Sequence, residues 1–220
     1  MSRPANLPTP RSLTFRVSWY VVSIALVGVG IALTVTANLG VSPGDVLTTG
    51  GSERLGIGVG TMGWISGGAF TVIAVALRRF PRIGTLLGML SVGQVVNWCL
   101  ELLPEPGMII ARIPMYAVGL ALIYTGISIG VGSRLGSGPI ELVMLGMSDR
   151  GISVQVSRIF LEAAILLLGI VLGGQFGVGT IVFVLITGPI LERILPIGAR
   201  FMRTSEPDLE AGIAATEIGS

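Results

Sequence analysis

A short polar segment near the first quarter of the chain combines a helix-capping residue, a proline and a carboxylate. Ser42, Pro43 and Asp45 follow one another in that order. Serine is a favoured N-cap, proline suits the first helical position, and a carboxylate in the first turn interacts favourably with the helix dipole. The pattern predicts a short helix over 43–54 whose first turn presents Asp45.

The same arrangement recurs in the second half of the chain. Gly138, Pro139 and Glu141 occupy corresponding places and predict a second short helix over 139–150. Free N–H groups at a helix N-terminus attract anions, whereas the carboxylates favour a cation or a proton, or cap their own helices. Each carboxylate therefore has a binding interpretation and a structural one, and both stay open.

Four further polar residues stand inside apolar stretches, where a charge costs roughly 2.5–3.5 kcal/mol on insertion scales. Glu162 is the deepest acid, and it is predicted either to bind a proton or cation or to pair with Arg158 one turn earlier. Gln94 and Asn97 share one helix face. Their amides are predicted either to contact a solute or to hydrogen-bond neighbouring helices.

Several kinds of chemistry are excluded by residue type. The chain has no histidine, which removes the zinc-protease motifs and the histidine base that the Gly126-Ile-Ser-Ile-Gly130 pattern would need. The glycine run that starts at Gly56 is followed by no Lys-Ser/Thr pair, so it is no phosphate loop. We therefore expect no enzyme activity, cofactor or metal site.

The elements that carry these residues are apolar and long. Of the 220 residues, 51% are hydrophobic and only 12% are charged. A run of about 20 apolar residues matches the ~30 Å hydrocarbon core of a membrane. Six such segments predict an all-α polytopic membrane protein with six transmembrane helices: Val17–Ala37, Val59–Leu77, Ile83–Leu103, Ile113–Val131, Val154–Leu172 and Val178–Leu195.

The sequence repeats itself after 96 positions. Tyr20–Arg54 aligned on Tyr116–Arg150 has 13 of 35 residues identical, including prolines and tyrosines that hydrophobicity alone does not explain. The repeats, 17–103 and 109–197, each hold three spans and one short helix. Because three is odd, the second repeat enters the membrane from the opposite side, which predicts an inverted repeat with a pseudo-two-fold axis in the membrane plane.

Arginines predict the orientation, because positive charge accumulates in cytoplasmic loops. With the N-terminus inside, twelve arginines fall on the cytoplasmic face and only Arg54 and Arg112 on the other. Both termini are therefore predicted to be cytoplasmic. The proline-rich residues 1–16 and the acidic tail 201–220 lack the apolar content of a folded unit and are predicted to be disordered.

Three stretches carry a family resemblance: Gly-Val-Ser-Pro-Gly-Asp-Val-Leu at 40–47, Gly-Ile-Gly-Val-Gly-Thr at 56–61 and Arg-Ile-Gly-Thr-Leu-Leu-Gly at 82–88. The chain resembles the YczE/YitT-type bacterial inner-membrane proteins over roughly 15–200. It departs from them at Gly44, where relatives tend to carry an aromatic residue. The resemblance implies a multi-span protein of the bacterial inner membrane and names no substrate.

Together these features favour a secondary transporter or exporter of a small solute, with or without proton coupling, whose site lies between the repeats. A non-transporting accessory or scaffold protein and a passive channel are the alternatives. The short helices are either interfacial or re-entrant. The expected partners are the lipid bilayer and the solute, without nucleic acid, and homo-oligomerisation stays open.

Overall fold

The computed structural model describes residues 11–104 and 106–203, and within these ranges it contains eight α-helices and no strand. Two are short and six are long. In chain order they are α1 (Leu13–Ala37), α2 (Pro43–Leu55), α3 (Val59–Ala76), α4 (Ile83–Leu102), α5 (Ile109–Ser133), α6 (Pro139–Ser148), α7 (Val154–Val171) and α8 (Val178–Met202).

The six long helices, α1, α3, α4, α5, α7 and α8, are each long and apolar enough to cross a membrane. Their outward faces carry large apolar side chains such as Val72, 70% exposed, and Leu167, 64% exposed. Water would disfavour this surface, whereas lipid solvates it. The predicted all-helical protein with six spans is confirmed.

Four ends of the long helices lie outside the predicted limits, and one of them is the end of α5 at Ser133. The first span begins at Leu13, behind the N-cap Ser12, and α5 begins at Ile109. The last span continues to Met202, where Phe201 packs edge-on against Trp19, with ring centroids 4.8 Å apart. Aromatic packing between the start of α1 and the end of α8 thus extends both helices. The remaining parts of the predicted tails, 1–10 and 204–220, lie outside the described residues.

The centre of the bundle is the crossing of α1 and α5. A Cβ atom added at Gly30 would lie 2.7 Å from the Gly119 carbonyl oxygen, and one at Gly126 would lie 2.9 Å from the Ser23 carbonyl oxygen. The two helices are antiparallel, because later residues of α1 contact earlier residues of α5. The contacts are also reciprocal, because shifting Gly30 by +96 positions and Gly119 by −96 positions gives the second pair, Gly126 and Ser23.

The outer helices pack in the same reciprocal way. The Tyr20 hydroxyl donates to the Gly84 carbonyl on α4 at 2.7 Å, and the Tyr116 hydroxyl donates to the Gly179 carbonyl on α8 at 2.6 Å. Each short helix packs against a span of the other half, α2 on α7 and α6 on α3. The two halves are therefore interlocked along α1, α5 and both short helices.

The halves differ in one interface. Between α3 and α4 the backbones meet closely, since a Cβ atom at Gly60 would lie 1.8 Å from the Gly93 carbonyl oxygen. The corresponding helices α7 and α8 share no comparable interface. The two halves thus differ in whether their last two spans pack against each other.

Candidate functional site

A cavity of about 460 Å³ lies between the two halves and is lined by α1 to α6. Its walls are mostly apolar, with a small number of polar groups. The polar groups include Tyr20, Asp45, Thr48, Ser66, Thr85 and Glu141. A largely apolar pocket with a few convergent polar groups is the usual form of a small-molecule site.

The N-terminal turn of α2 brings Asp45 to this cavity. The Ser42 hydroxyl donates to Asp45 Oδ2 at 2.6 Å and accepts from the Asp45 backbone N–H at 3.2 Å, which fixes the first turn. Asp45 lies outside the six spans, and burial raises its pKa to about 6, although the hydrogen bond from Ser42 opposes the shift. Its carboxyl group therefore titrates close to neutral pH.

The N-terminal turn of α6 brings Glu141 to the same cavity. The Gly138 backbone N–H donates to Glu141 Oε2, so the carboxylate caps its own helix. Pro139 lies beside α3, with its Cγ 3.7 Å from the Cβ position of Gly67. The cavity thus receives the proline–acid turns of both halves.

Corresponding tyrosines of the two halves lie differently with respect to the cavity. Tyr20 lines it together with Glu141 of the opposite half, whereas Tyr116 is not among the lining residues. Both hydroxyls already donate to a backbone carbonyl, which leaves their oxygen lone pairs as acceptors. Tyr20 was absent from the predicted site, although its match to Tyr116 in the repeat was the available signal.

Two threonines at corresponding positions of the two halves differ in their hydrogen bonding. Thr180 Oγ1 accepts a hydrogen bond from the Val41 backbone N–H at 3.1 Å. Thr85, its counterpart in the first half, is 4% exposed and lines the cavity, yet its hydroxyl has no hydrogen-bond partner. Neither threonine was predicted as a site residue, because a threonine inside a span carries no signal of its own.

The connection between α1 and α2 packs tightly against the start of α8 and the loop that joins α7 to α8. Val41 N–H also donates to the Gln175 carbonyl at 3.2 Å, and Gln175 N–H donates to Thr49 Oγ1 at 3.0 Å. Gly40 has φ +109°, and a Cβ atom there would lie 2.7 Å from the Thr180 nitrogen. Only glycine allows this approach, so the chain crosses α8 without space between them.

The predicted amides lie on α4, away from the cavity lining. Asn97 Oδ1 accepts from the Gly60 backbone N–H at 2.9 Å, and its Nδ2 donates to Thr61 Oγ1 at 3.0 Å. Asn97 therefore joins α4 to the start of α3. Gln94 is half-buried on the same helix and does not line the cavity.

The predicted charged pair is formed on α7. Arg158 Nε donates to Glu162 Oε1 at 2.9 Å, with side chains 45% and 42% exposed. Neither residue lines the cavity. Among the residues that the structure describes, no group of three or more His, Cys, Asp and Glu side chains is placed to hold a metal ion.

Several arginines lie at one end of the bundle. Arg16 donates to the Ser133 carbonyl at the end of α5, with Nε at 2.7 Å. Arg150 donates to the Leu77 carbonyl at 3.0 Å, and Arg79 forms an ion pair with Asp149 at 2.5 Å. The Arg79 guanidinium holds the pKa of Asp149 below its usual range.

Comparisons with known proteins agree with this architecture. A family model described as a family of unknown function (DUF6198) matches residues 9–196. The uncharacterized membrane protein YczE of Bacillus subtilis is 28% identical over 209 residues, which cover 94% of this chain and 97% of YczE. No solved structure matches the chain significantly.

Two further relatives have similar identity. An uncharacterized protein of Haemophilus influenzae is 28% identical over 179 residues, covering 81% of this chain and 82% of the relative. The uncharacterized protein YyaS of Bacillus subtilis is 28% identical over 191 residues, covering 83% and 93%. The predicted resemblance to YczE is thus confirmed over nearly the whole chain. The chain is a multi-span membrane protein that belongs to the family of unknown function DUF6198.

Proposed function

We propose that the protein is a secondary transporter of a small solute, with its binding site in the cavity between the two halves. The observation that carries the proposal is the convergence of both proline–acid turns, at Asp45 and Glu141, on one cavity. Secondary transporters place their sites at repeat interfaces and build them from short or broken helices. No catalytic role is needed for any residue in this site, so we propose no enzyme activity.

The reciprocal contacts support an inverted repeat. Gly30 on Gly119 and Gly126 on Ser23 are related by the 96-residue shift, and reciprocal contacts of this kind are typical of a two-fold axis. Because α1 and α5 are antiparallel spans, the axis that exchanges them lies in the membrane plane. The two halves then enter the bilayer from opposite sides.

The short helices fit the re-entrant interpretation better than the interfacial one. Pro139 packs beside Gly67, the ninth of the 18 residues of α3. Gly146, further along α6, packs against Leu77 at the end of α3. The 10 residues of α6 extend about 15 Å, half the hydrocarbon thickness. The helix therefore begins near mid-membrane and ends at the surface.

The unequal interfaces support alternating access. Both connections to the short helices pack closely, since a Cβ atom at Gly40 would overlap the Thr180 backbone and one at Gly136 would overlap the Thr85 backbone, but only the Thr180 hydroxyl has a hydrogen-bond partner. In an inverted repeat, exchange of these two arrangements between the halves moves the opening of the cavity from one membrane face to the other. The α3–α4 interface, which has no comparable counterpart between α7 and α8, is a second difference between the halves.

Flux measurements in proteoliposomes test the proposal. Vesicles loaded with a pH-sensitive dye receive organic cations, organic anions and neutral solutes in turn, with and without a proton gradient. We expect flux for one class, stimulated by the same solute on the far side and reduced at least tenfold in Asp45→Asn and Glu141→Gln. Glu53→Gln, which removes an exposed carboxylate from α2 away from the cavity, serves as the matched control.

Other outcomes separate the alternatives. A passive channel gives flux without stimulation from the far side. A scaffold protein gives no flux with any class, although the purified protein is monodisperse and folded. The same assay on Glu162→Gln decides whether the ion pair on α7 contributes to transport.

A further inference from the structure

The charge inside the cavity is negative and uncompensated by basic side chains. Asp45 and Glu141 line it, and none of the other described lining residues is charged. A carboxylate in apolar surroundings is expensive unless a positive charge or a set of hydrogen-bond donors accompanies it. Each carboxylate already accepts one hydrogen bond, Asp45 from the Ser42 hydroxyl and the exposed Glu141 from the Gly138 N–H, but no basic side chain lines the cavity. A solute that carries a positive charge supplies the missing charge.

The unpartnered Thr85 hydroxyl is a second and independent indication of a ligand. Its oxygen is buried at the cavity wall without a hydrogen bond, which costs about 1–3 kcal/mol for a group of this kind. An ammonium group carries three donors and no acceptor. The carboxylate oxygens of Asp45 and Glu141 are acceptors, and the Thr85 hydroxyl can accept as well as donate, so this set matches an ammonium better than a carboxylate or phosphate.

The rest of the lining fits an apolar body. Phe70 presents an aromatic ring and the Tyr20 ring lies nearby in the wall, which suits contact with a cation or with another ring. Val27 and Val92 add aliphatic surface. A volume of about 460 Å³ accommodates a compact organic molecule and lies within the usual range for small-molecule sites.

We propose that the cavity binds a small organic ammonium ion, a primary amine with a compact apolar body. Its charged end lies among the oxygens of Asp45, Glu141 and Thr85, and its body packs on Phe70 and the aliphatic wall. This assignment deepens the proposed transport function, because it names the solute class of the same site. The arginines Arg16, Arg82 and Arg134 lie outside the lining, at helix ends where cytoplasmic loops retain positive charge.

Calorimetric binding to the full-length protein in detergent tests the assignment without requiring transport. The probes are benzylammonium, its neutral isostere benzyl alcohol and the anion benzoate. We expect benzylammonium to bind at least tenfold more tightly than either of the others. Asp45→Asn and Glu141→Gln should each weaken it at least tenfold, and Thr85→Val about three- to tenfold, with recovery in Thr85→Ser. Glu53→Gln should bind like the wild type.

The assignment is overturned if benzoate or benzyl alcohol binds as tightly as benzylammonium, if no probe binds, or if both carboxylate variants retain wild-type affinity. Thermal melting of every variant separates lost binding from lost folding. Failure of the transport proposal looks different. Tight ammonium binding without flux keeps the assignment and removes transport, whereas flux of anions alone keeps transport and removes the assignment.

Discussion

At the scale of single residues, matching positions in the two halves have distinct environments. Asp45 and Glu141 occupy the same place in their helices, yet Asp45 bonds a serine hydroxyl and Glu141 bonds a backbone N–H. Thr85 and Thr180 differ in the same way, since only Thr180 has a partner. Matched positions of the two halves therefore have different surroundings and different properties.

Asp45 leads to a prediction about stability and pH. Its pKa is raised from 3.8 to about 6 in the folded protein, so the folded state binds this proton more tightly than the unfolded state. Ionisation of Asp45 thus lowers stability as the pH rises from about 4 through 6, by about 2–3 kcal/mol in total. We expect Asp45→Asn to raise the Tm at pH 7.5 and to leave it unchanged at pH 4.

Melting curves of wild type and variant at a series of pH values measure this difference. Glu53→Gln is the control, because its side chain is exposed on the same helix. An equal Tm offset at both ends of the pH range would contradict the proposed titration of Asp45.

At the scale of helices, glycines set how closely the elements approach. The contact of Gly60 with Gly93 holds α3 on α4, and the contact of Gly30 with Gly119 holds α1 on α5. Membrane helices associate by close packing of small residues, because lipid provides no hydrophobic drive between them. Glycine positions therefore decide which helix pairs form tight interfaces.

Two glycines on α3 provide a matched comparison. A Cβ atom at Gly60 would overlap the Gly93 backbone, whereas one at Gly63 would meet nothing within 4 Å. We expect Gly60→Ala to lower stability by about 1–3 kcal/mol through forced separation of α3 and α4. Gly63→Ala should keep or raise stability, because alanine is the better helix former. Tm values in detergent measure both, and an equal loss in the two variants would exclude the steric explanation.

At the scale of the whole molecule, the two ends of the bundle differ in charge. Arg16, Arg79 and Arg150 contact residues at one end, while Arg54 approaches the Leu172 carbonyl at the other. Because positive charge is retained in cytoplasmic loops, we predict that the arginine-rich end faces the cytoplasm. The proposed location is the bacterial inner membrane.

Reporter fusions test this orientation. With both termini in the cytoplasm, a green fluorescent protein fused after Ser220 should fluoresce and an alkaline phosphatase there should be inactive. A phosphatase inserted after Gly107, in the connection between α4 and α5, should be active because this loop lies outside. Activity of the C-terminal phosphatase would reverse the proposed topology.

The sequence alone determined the features that depend on local composition. Apolar runs of bilayer length predict the six spans, and Ser42-Pro43 and Gly138-Pro139 predict where the short helices begin. These features follow from local hydrophobicity and backbone preference, which neighbouring residues along the chain specify. The helix ends at Leu13 and Met202 escaped prediction because aromatic packing between distant residues extends them.

Only the tertiary structure decided which polar residues share a cavity. Tyr20, Asp45, Thr85 and Glu141 come from four helices and meet because α1 crosses α5 and each half packs on the other. Asn97 instead joins α4 to α3, because its side chain accepts a hydrogen bond from the Gly60 backbone N–H. The sequence does not show whether an isolated polar residue in an apolar helix faces a cavity, another helix or lipid. The direction it faces is set by packing of elements far apart in the chain.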